Sequence, residues 1–129
     1  QKEHYFPYTP NWHGTAGLNA GAEWILEEGL SESIRRHAAV AEFCRRRIVE
    51  MGLELFPKPD AVPSPTVTAV YLPRGLGWPD FDRRLRRRGL VVGGSYGESA
   101  GKIFRIGHMG TQADHALAAR ALDVIQAVL

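Results

Sequence analysis

Apolar residues recur at helical spacing twice within the first fifty positions. From about His13 to Glu28 they fall on one face at Leu18, Ala22 and Ile25, and Gly29 stands where a left-handed C-terminal cap belongs. The small residues Gly14, Ala16, Gly17, Ala20 and Gly21 weaken this helix, each interior glycine costing about 1 kcal/mol relative to alanine. Close packing against another element is the physical reason to tolerate them. Ser31 reads as the N-cap of a second helix to about Glu50, with Ile34, Ala38, Ala41 and Ile48 inward and Gly52 ending it. Arg35, Arg36, Arg45, Arg46 and Arg47 fall on its wet side. Leu53 to Phe56 then predicts a short strand, four prolines (Pro57, Pro59, Pro63, Pro65) break the connection, and the β-branched run Thr66 to Leu72 predicts a second strand. Pro79 opens a short helix to Arg88, Leu90 to Val92 is a brief strand, and Gly93 to Gly101 is a flexible loop. Lys102 to Gly107 forms the next strand. Thr111 caps a final helix from Gln112 to Val128, with Asp114 in its first turn favoured by the helix dipole and Leu117, Ala121, Val124 and Val128 inward.

The order ααββαββα predicts an α+β two-layer sandwich, a small mostly antiparallel sheet with helices packed on one face. Residues 1–12 stand apart as an extended arm. Pro7 and Pro10 disfavour helix there, and the crowding of Tyr5, Phe6, Tyr8 and Trp12 in an irregular segment suggests docking onto another surface.

Composition narrows the picture without choosing a function. A chain of 129 residues is of one-domain size, 44% apolar and 23% charged, and a net charge of +2 does not by itself imply nucleic acid or membrane. The one cysteine, Cys44, permits no disulfide framework within the chain and reads as a small core residue in a reducing, cytoplasmic setting. No apolar run reaches the ~20 residues of a membrane span, and the first residues do not resemble a signal peptide. The chain opens on Gln1 rather than methionine, as a fragment, a processed product or a trimmed start would.

The segment Gly101 to Gly110, GKIFRIGHMG, places an arginine in the middle of a strand. Alternation sends Phe104 and Ile106 to one face, toward the helices, and Ile103 and Arg105 to the other. Arg105 therefore need not lie in the core. Its planar fork is the side chain best matched to a carboxylate. The residues alone favour a structural ion pair or a solvated charge on an open face over a bound carboxylate.

GKIFRIGHMG resembles the substrate-carboxylate segment of class V, fold-type I pyridoxal-phosphate aminotransferases, the group that includes alanine–glyoxylate and serine–pyruvate aminotransferases. PYTP near the start, EEGLSESIRRH at 27–37, PSPTVTAVYLP at 63–73, and GG followed by SAGKIFRIGHMG appear in the family's order and spacing, covering nearly the whole chain. The resemblance implies a C-terminal small domain at 13–129 with 1–12 as its preceding arm, and a pyridoxal-phosphate-binding large domain absent from this chain. It implies that Arg105 binds the α-carboxylate of an amino acid or 2-oxo acid. It also implies that the arm reaches the partner subunit of a homodimer, where Tyr5 and either Tyr8 or Thr9 meet the cofactor phosphate. Hydroxyls suit that role because they donate to phosphate without carrying charge. Ordinary aromatic packing is the other account of Tyr5 and Tyr8.

The family's chemistry needs a Schiff-base lysine and an acid paired with the cofactor's pyridinium nitrogen. The three lysines here, Lys2, Lys58 and Lys102, do not fit, being at a terminus, between prolines and in the arginine strand on its opposite face. The resemblance places both groups upstream, so this chain alone is expected neither to bind pyridoxal phosphate nor to transaminate. In the full enzyme the substrates are expected to be alanine or serine with glyoxylate or pyruvate. A stand-alone α+β ligand-binding or interaction module and the small domain of a class V lyase or desulfurase are the alternatives.

Two other features read as structural. His108 has no second histidine at metal spacing, His4, His13, His37 and His115 being scattered, and so reads as a hydrogen-bonded turn residue. The run Arg83-Arg84-Leu85-Arg86-Arg87-Arg88 is interrupted by Leu85, four residues after Phe81, which makes it the wet side of an amphipathic helix rather than a nucleic-acid surface. No metal site is expected.

Overall fold

A computed structural model describes residues 8–129, which divide into two compact units, one ending at Ile34 and one beginning at Arg35. Among the described residues there are four α-helices, α1 (Trp12–Glu28), α2 (Leu30–Glu50), α3 (Trp78–Arg87) and α4 (His115–Gln126), and two strands, β1 (Val67–Tyr71) and β2 (Ile103–Gly107). Short 3-10 turns lie at Gly97–Ser99 and Gly110–Gln112.

In the first unit, α1 is capped by Asn11, whose side chain accepts from the Gly14 N–H at 3.0 Å. Gly29, at φ +88°, ends it in a backbone region that L side chains rarely adopt. Two expectations fail here. None of the α1 side chains is buried, so the Leu18, Ala22 and Ile25 face packs into no core in the described structure. Nor does Ser31 cap α2: the helix begins at Leu30, the Gly29 carbonyl already accepting from the Ser33 N–H at 3.0 Å, and Ser31 lies inside the first turn.

The second unit is the α+β sandwich that the pattern predicts. β1 and β2 pair antiparallel with Val70 opposite Phe104, Ala69 opposite Arg105 and Thr68 opposite Ile106. Two single bridges flank them, Leu55 to Val70 and Gly93 to Arg105, both antiparallel. The expected strands at 53–56 and 90–92 thus shrink to isolated pairings. Prolines after Phe56 cannot donate to a longer ladder, and the paired residue of the other segment is Gly93, just beyond it.

Val40, Cys44 and Ile48 from α2, Phe81 and Leu85 from α3, and Ala118, Leu122 and Ile125 from α4 form one core with Val70, Phe104 and Ile106 of the sheet. The Phe81 and Phe104 ring centroids are 4.8 Å apart. Of the expected α2 stripe, Ala41 and Ile48 are buried whereas Ile34 and Ala38 are exposed. The expected α4 stripe is displaced by one position at Ala118, Leu122 and Ile125, and Val128 is buried as expected. The helix also starts later than the pattern predicts. Residues 110–112 form a 3-10 turn, and Asp114, not Thr111, is the N-cap, accepting from the Leu117 N–H at 2.8 Å.

Several α2 arginines do more than face water. Arg36 Nη1 donates to the carbonyls of Gly110 and Ala113 at 2.9 and 2.8 Å, and Arg47 pairs with Asp123 at 3.0 Å. Together with His37, whose Nε2 accepts from the Gly110 N–H at 2.9 Å, Arg36 fastens the segment after β2 to the helix.

Candidate functional site

β2 carries Arg105 on the sheet face opposite the core, as strand alternation requires. That face is not fully open: Ile103 is 5% exposed and Arg105 is half-buried. The 93–99 segment, expected to be a flexible loop, walls this side. Gly93 exchanges both backbone hydrogen bonds with Arg105, at 3.0 and 2.7 Å, and a 3-10 turn follows at Gly97–Ser99, with the Ser95 hydroxyl donating to the Ser99 carbonyl.

The arginine side chain is held at one end only. Its Nε–H donates to the Gly94 carbonyl at 2.9 Å, and its Cζ lies 5.5 Å from the centre of the Tyr96 ring. No carboxylate among the described residues pairs with it, and neither Nη has a hydrogen-bond partner among them. A guanidinium with its terminal nitrogens unpaired on a half-covered face has parallel N–H donors that can bind an anion. Gly94 and Tyr96 were not marked by the sequence pattern. Only the GG pair one short segment before the arginine strand hints at a close backbone approach.

His108, just past β2, is a structural residue, as expected. It is 1% exposed, its Nε2 is 2.9 Å from Thr68 Oγ1, and its backbone N–H donates to the Thr66 carbonyl. Its Nδ1 is buried without a hydrogen-bond partner. Burial, the largest cause, holds its pKa below the ordinary 6.5. The carbonyls of His108 and Pro65 oppose that shift, while the charges of Arg45 and His37 reinforce it. Cys44 is fully buried, and desolvation raises its thiol pKa to about 11 against the lowering effect of Arg45.

The remaining candidates are dispersed. Tyr8 is 84% exposed and Thr9 is also exposed, while Tyr5 lies outside the described residues. Lys58 and Lys102, the two lysines among the described residues, are exposed. Along α3 the arginine run is partly neutralised by Arg83 with Asp80 and Arg86 with Asp82. No group of three or more His, Cys, Asp or Glu among the described residues could hold a metal ion. No described helix is long and apolar enough to cross a membrane.

No family model matches the chain. It is 42% identical over 105 residues to an uncharacterised aminotransferase of Methanocaldococcus jannaschii, an alignment covering 81% of this chain and 27% of that protein. An alanine–glyoxylate aminotransferase of Callithrix jacchus is 40% identical over 97 residues, 74% of this chain and 23% of its own. Among solved structures, pyridoxamine–pyruvate aminotransferase from Mesorhizobium loti superposes with a TM-score of 0.89 at 35% identity, over 95% of this chain and 32% of that one. The chain thus spans about a quarter to a third of the length of the proteins it matches.

Proposed function

The chain belongs to the class V aminotransferases, of which it is the small domain, and from that premise we propose that it supplies Arg105 as the substrate-carboxylate anchor of a pyridoxal-phosphate enzyme. That enzyme moves an amino group between a small amino acid, alanine or serine, and a 2-oxo acid, glyoxylate or pyruvate. The observation that carries the reading is the guanidinium itself, fixed through Nε and without a carboxylate partner among the described residues.

On this reading the chain does not hold the cofactor by itself; Lys58 and Lys102, the two lysines among the described residues, lie exposed and are assigned no part in it. The Schiff-base lysine and the acid facing the pyridinium nitrogen are assigned to a large domain outside this chain. In this division, residues 13–129 are the small domain and 1–12 the arm, which offers Tyr5 with Tyr8 or Thr9 to the cofactor phosphate in the partner subunit of a homodimer. The exposure of Tyr8 and Thr9 supports an arm free to dock.

What this chain does chemically is bind and orient. A carboxylate gripped by two parallel N–H donors can rotate little, so the Cα–H bond of the bound amino acid takes one direction relative to the rest of the site. Losing that grip costs about 2–4 kcal/mol of binding. The test has two arms. Adding pyridoxal phosphate to the 129-residue chain should give no stoichiometric aldimine absorbance near neutral pH. In the intact enzyme Arg105→Ala should raise the alanine KM by roughly 30-fold or more. A stoichiometric aldimine would overturn the division between domains, and an unchanged KM would overturn the role of Arg105.

A further inference from the structure

A guanidinium offers a carboxylate two forks, Nε with one Nη or the two Nη groups together. Around Arg105 the first fork is taken. Nε donates to the Gly94 carbonyl at 2.9 Å, and the Tyr96 ring lies over the guanidinium 5.5 Å from Cζ. The carbonyl is held from two sides. Gly93, the residue before it, is locked to the Arg105 backbone by its pair of hydrogen bonds, and the Trp78 indole at the start of α3 packs against Gly94. The fit with the indole is close enough to forbid a side chain. A Cβ at Gly94 would stand 2.8 Å from Trp78 Cε2 and 2.9 Å from Cζ2, whereas one at Gly93 would stand at an ordinary 3.5 Å from Arg105 Nη2.

We propose that Gly94 is a positioning residue for Arg105: its carbonyl, seated against Trp78, occupies Nε and leaves the Nη1–Nη2 edge to take the substrate carboxylate end-on, with Tyr96 covering the guanidinium face. The inference rests on the reading of Arg105 as the carboxylate anchor and adds which edge binds and what sets it. Gly94 does not touch the anion. It acts through the arginine, and Trp78 explains why the position is glycine.

The experiment is nitrogen-detected NMR of the arginine side chains in the intact enzyme, titrated with sodium pyruvate against a sodium chloride control. The Arg105 Nε–H should exchange slowly with water, and its signal should lose its ring-current shift in Tyr96→Ala. Pyruvate should move the Arg105 Nη signals and leave Nε–H protection unchanged. Gly94→Ala should speed Nε–H exchange and weaken pyruvate binding, each about tenfold, with an unchanged far-ultraviolet spectrum. Adding Trp78→Leu should restore both by making room for the new methyl group. A wild-type Nε–H that exchanges as fast as a solvated arginine overturns the proposal whatever the variants do. A pyruvate response at Nε overturns end-on binding while leaving the carboxylate reading intact. A protected Nε–H with no response to pyruvate at any Arg105 nitrogen overturns the carboxylate reading, and the inference falls with it.

Discussion

Replacing His108 by leucine removes the side chain that ties the end of the Arg105 strand to the middle of β1. The ring is 1% exposed, and its Nε2 is the hydrogen-bond partner, at 2.9 Å, of the hydroxyl of Thr68, itself 2% exposed. Leucine is near enough in volume to keep the cavity term small, so the main cost is an orphaned buried hydroxyl, about 1–3 kcal/mol. The pH dependence gives a sharper signature. Burial favours the neutral ring, so the folded pKa of His108 lies below the ordinary 6.5. Between the folded and unfolded values the unfolded chain binds more protons, so stability rises with pH across that window and is lost as pH falls below about 6.5. At pH 5.5 the loss from this one group is at most about 1.4 kcal/mol. Urea denaturation of wild type and His108→Leu at pH 8 and pH 5.5 measures it, the other histidines cancelling in the difference. The wild-type advantage should be about 1–3 kcal/mol at pH 8 and should shrink toward pH 5.5. An advantage that stays constant would refute the burial argument, and one that grows would mean that the fold favours the charged ring.

Cys44, with its thiol pKa raised to about 11, should carry roughly one thiolate in a thousand at pH 8 and react with a disulfide reagent only as fast as the chain unfolds. Rapid labelling in native buffer would contradict its burial. Asp114→Ala should cost about 1 kcal/mol through the lost cap on the Leu117 N–H, read as a shift in the urea midpoint with an unchanged slope. Thr111→Ala, at the residue that the sequence pattern favours as the cap, should change stability by less than about 0.5 kcal/mol.

The features that were legible in the sequence are those set by short-range periodicity. The β-branched run Thr66 to Leu72 and the segment Lys102 to Gly107 matched the two strands to within a residue at each end, and alternation placed Phe104 and Ile106 in the core with Arg105 on the opposite face. Helix starts were less legible because several residues compete to cap: Thr111 and Asp114 both suit the role, and the 3-10 turn at 110–112 decides between them. The α1 stripe shows the limit of amphipathicity, which marks an apolar face but not what covers it. Within the candidate site, Arg105 was marked by its strand and its motif. Gly94 and Tyr96 were not, because the first depends on the Trp78 indole meeting the loop before β2 and the second on its ring lying against the Arg105 guanidinium, tertiary contacts that no local pattern encodes.

The central claim is that Arg105 acts on the carboxylate of the substrate. It is tested most directly in the intact enzyme by comparing alanine with ethylamine, which carries the amine without the carboxylate, in wild type and Arg105→Ala. The account predicts that kcat/KM for alanine falls by roughly 30-fold or more while that for ethylamine is unchanged, erasing the preference for the carboxylate. An equal fall for both amines, or no fall for alanine, would contradict it.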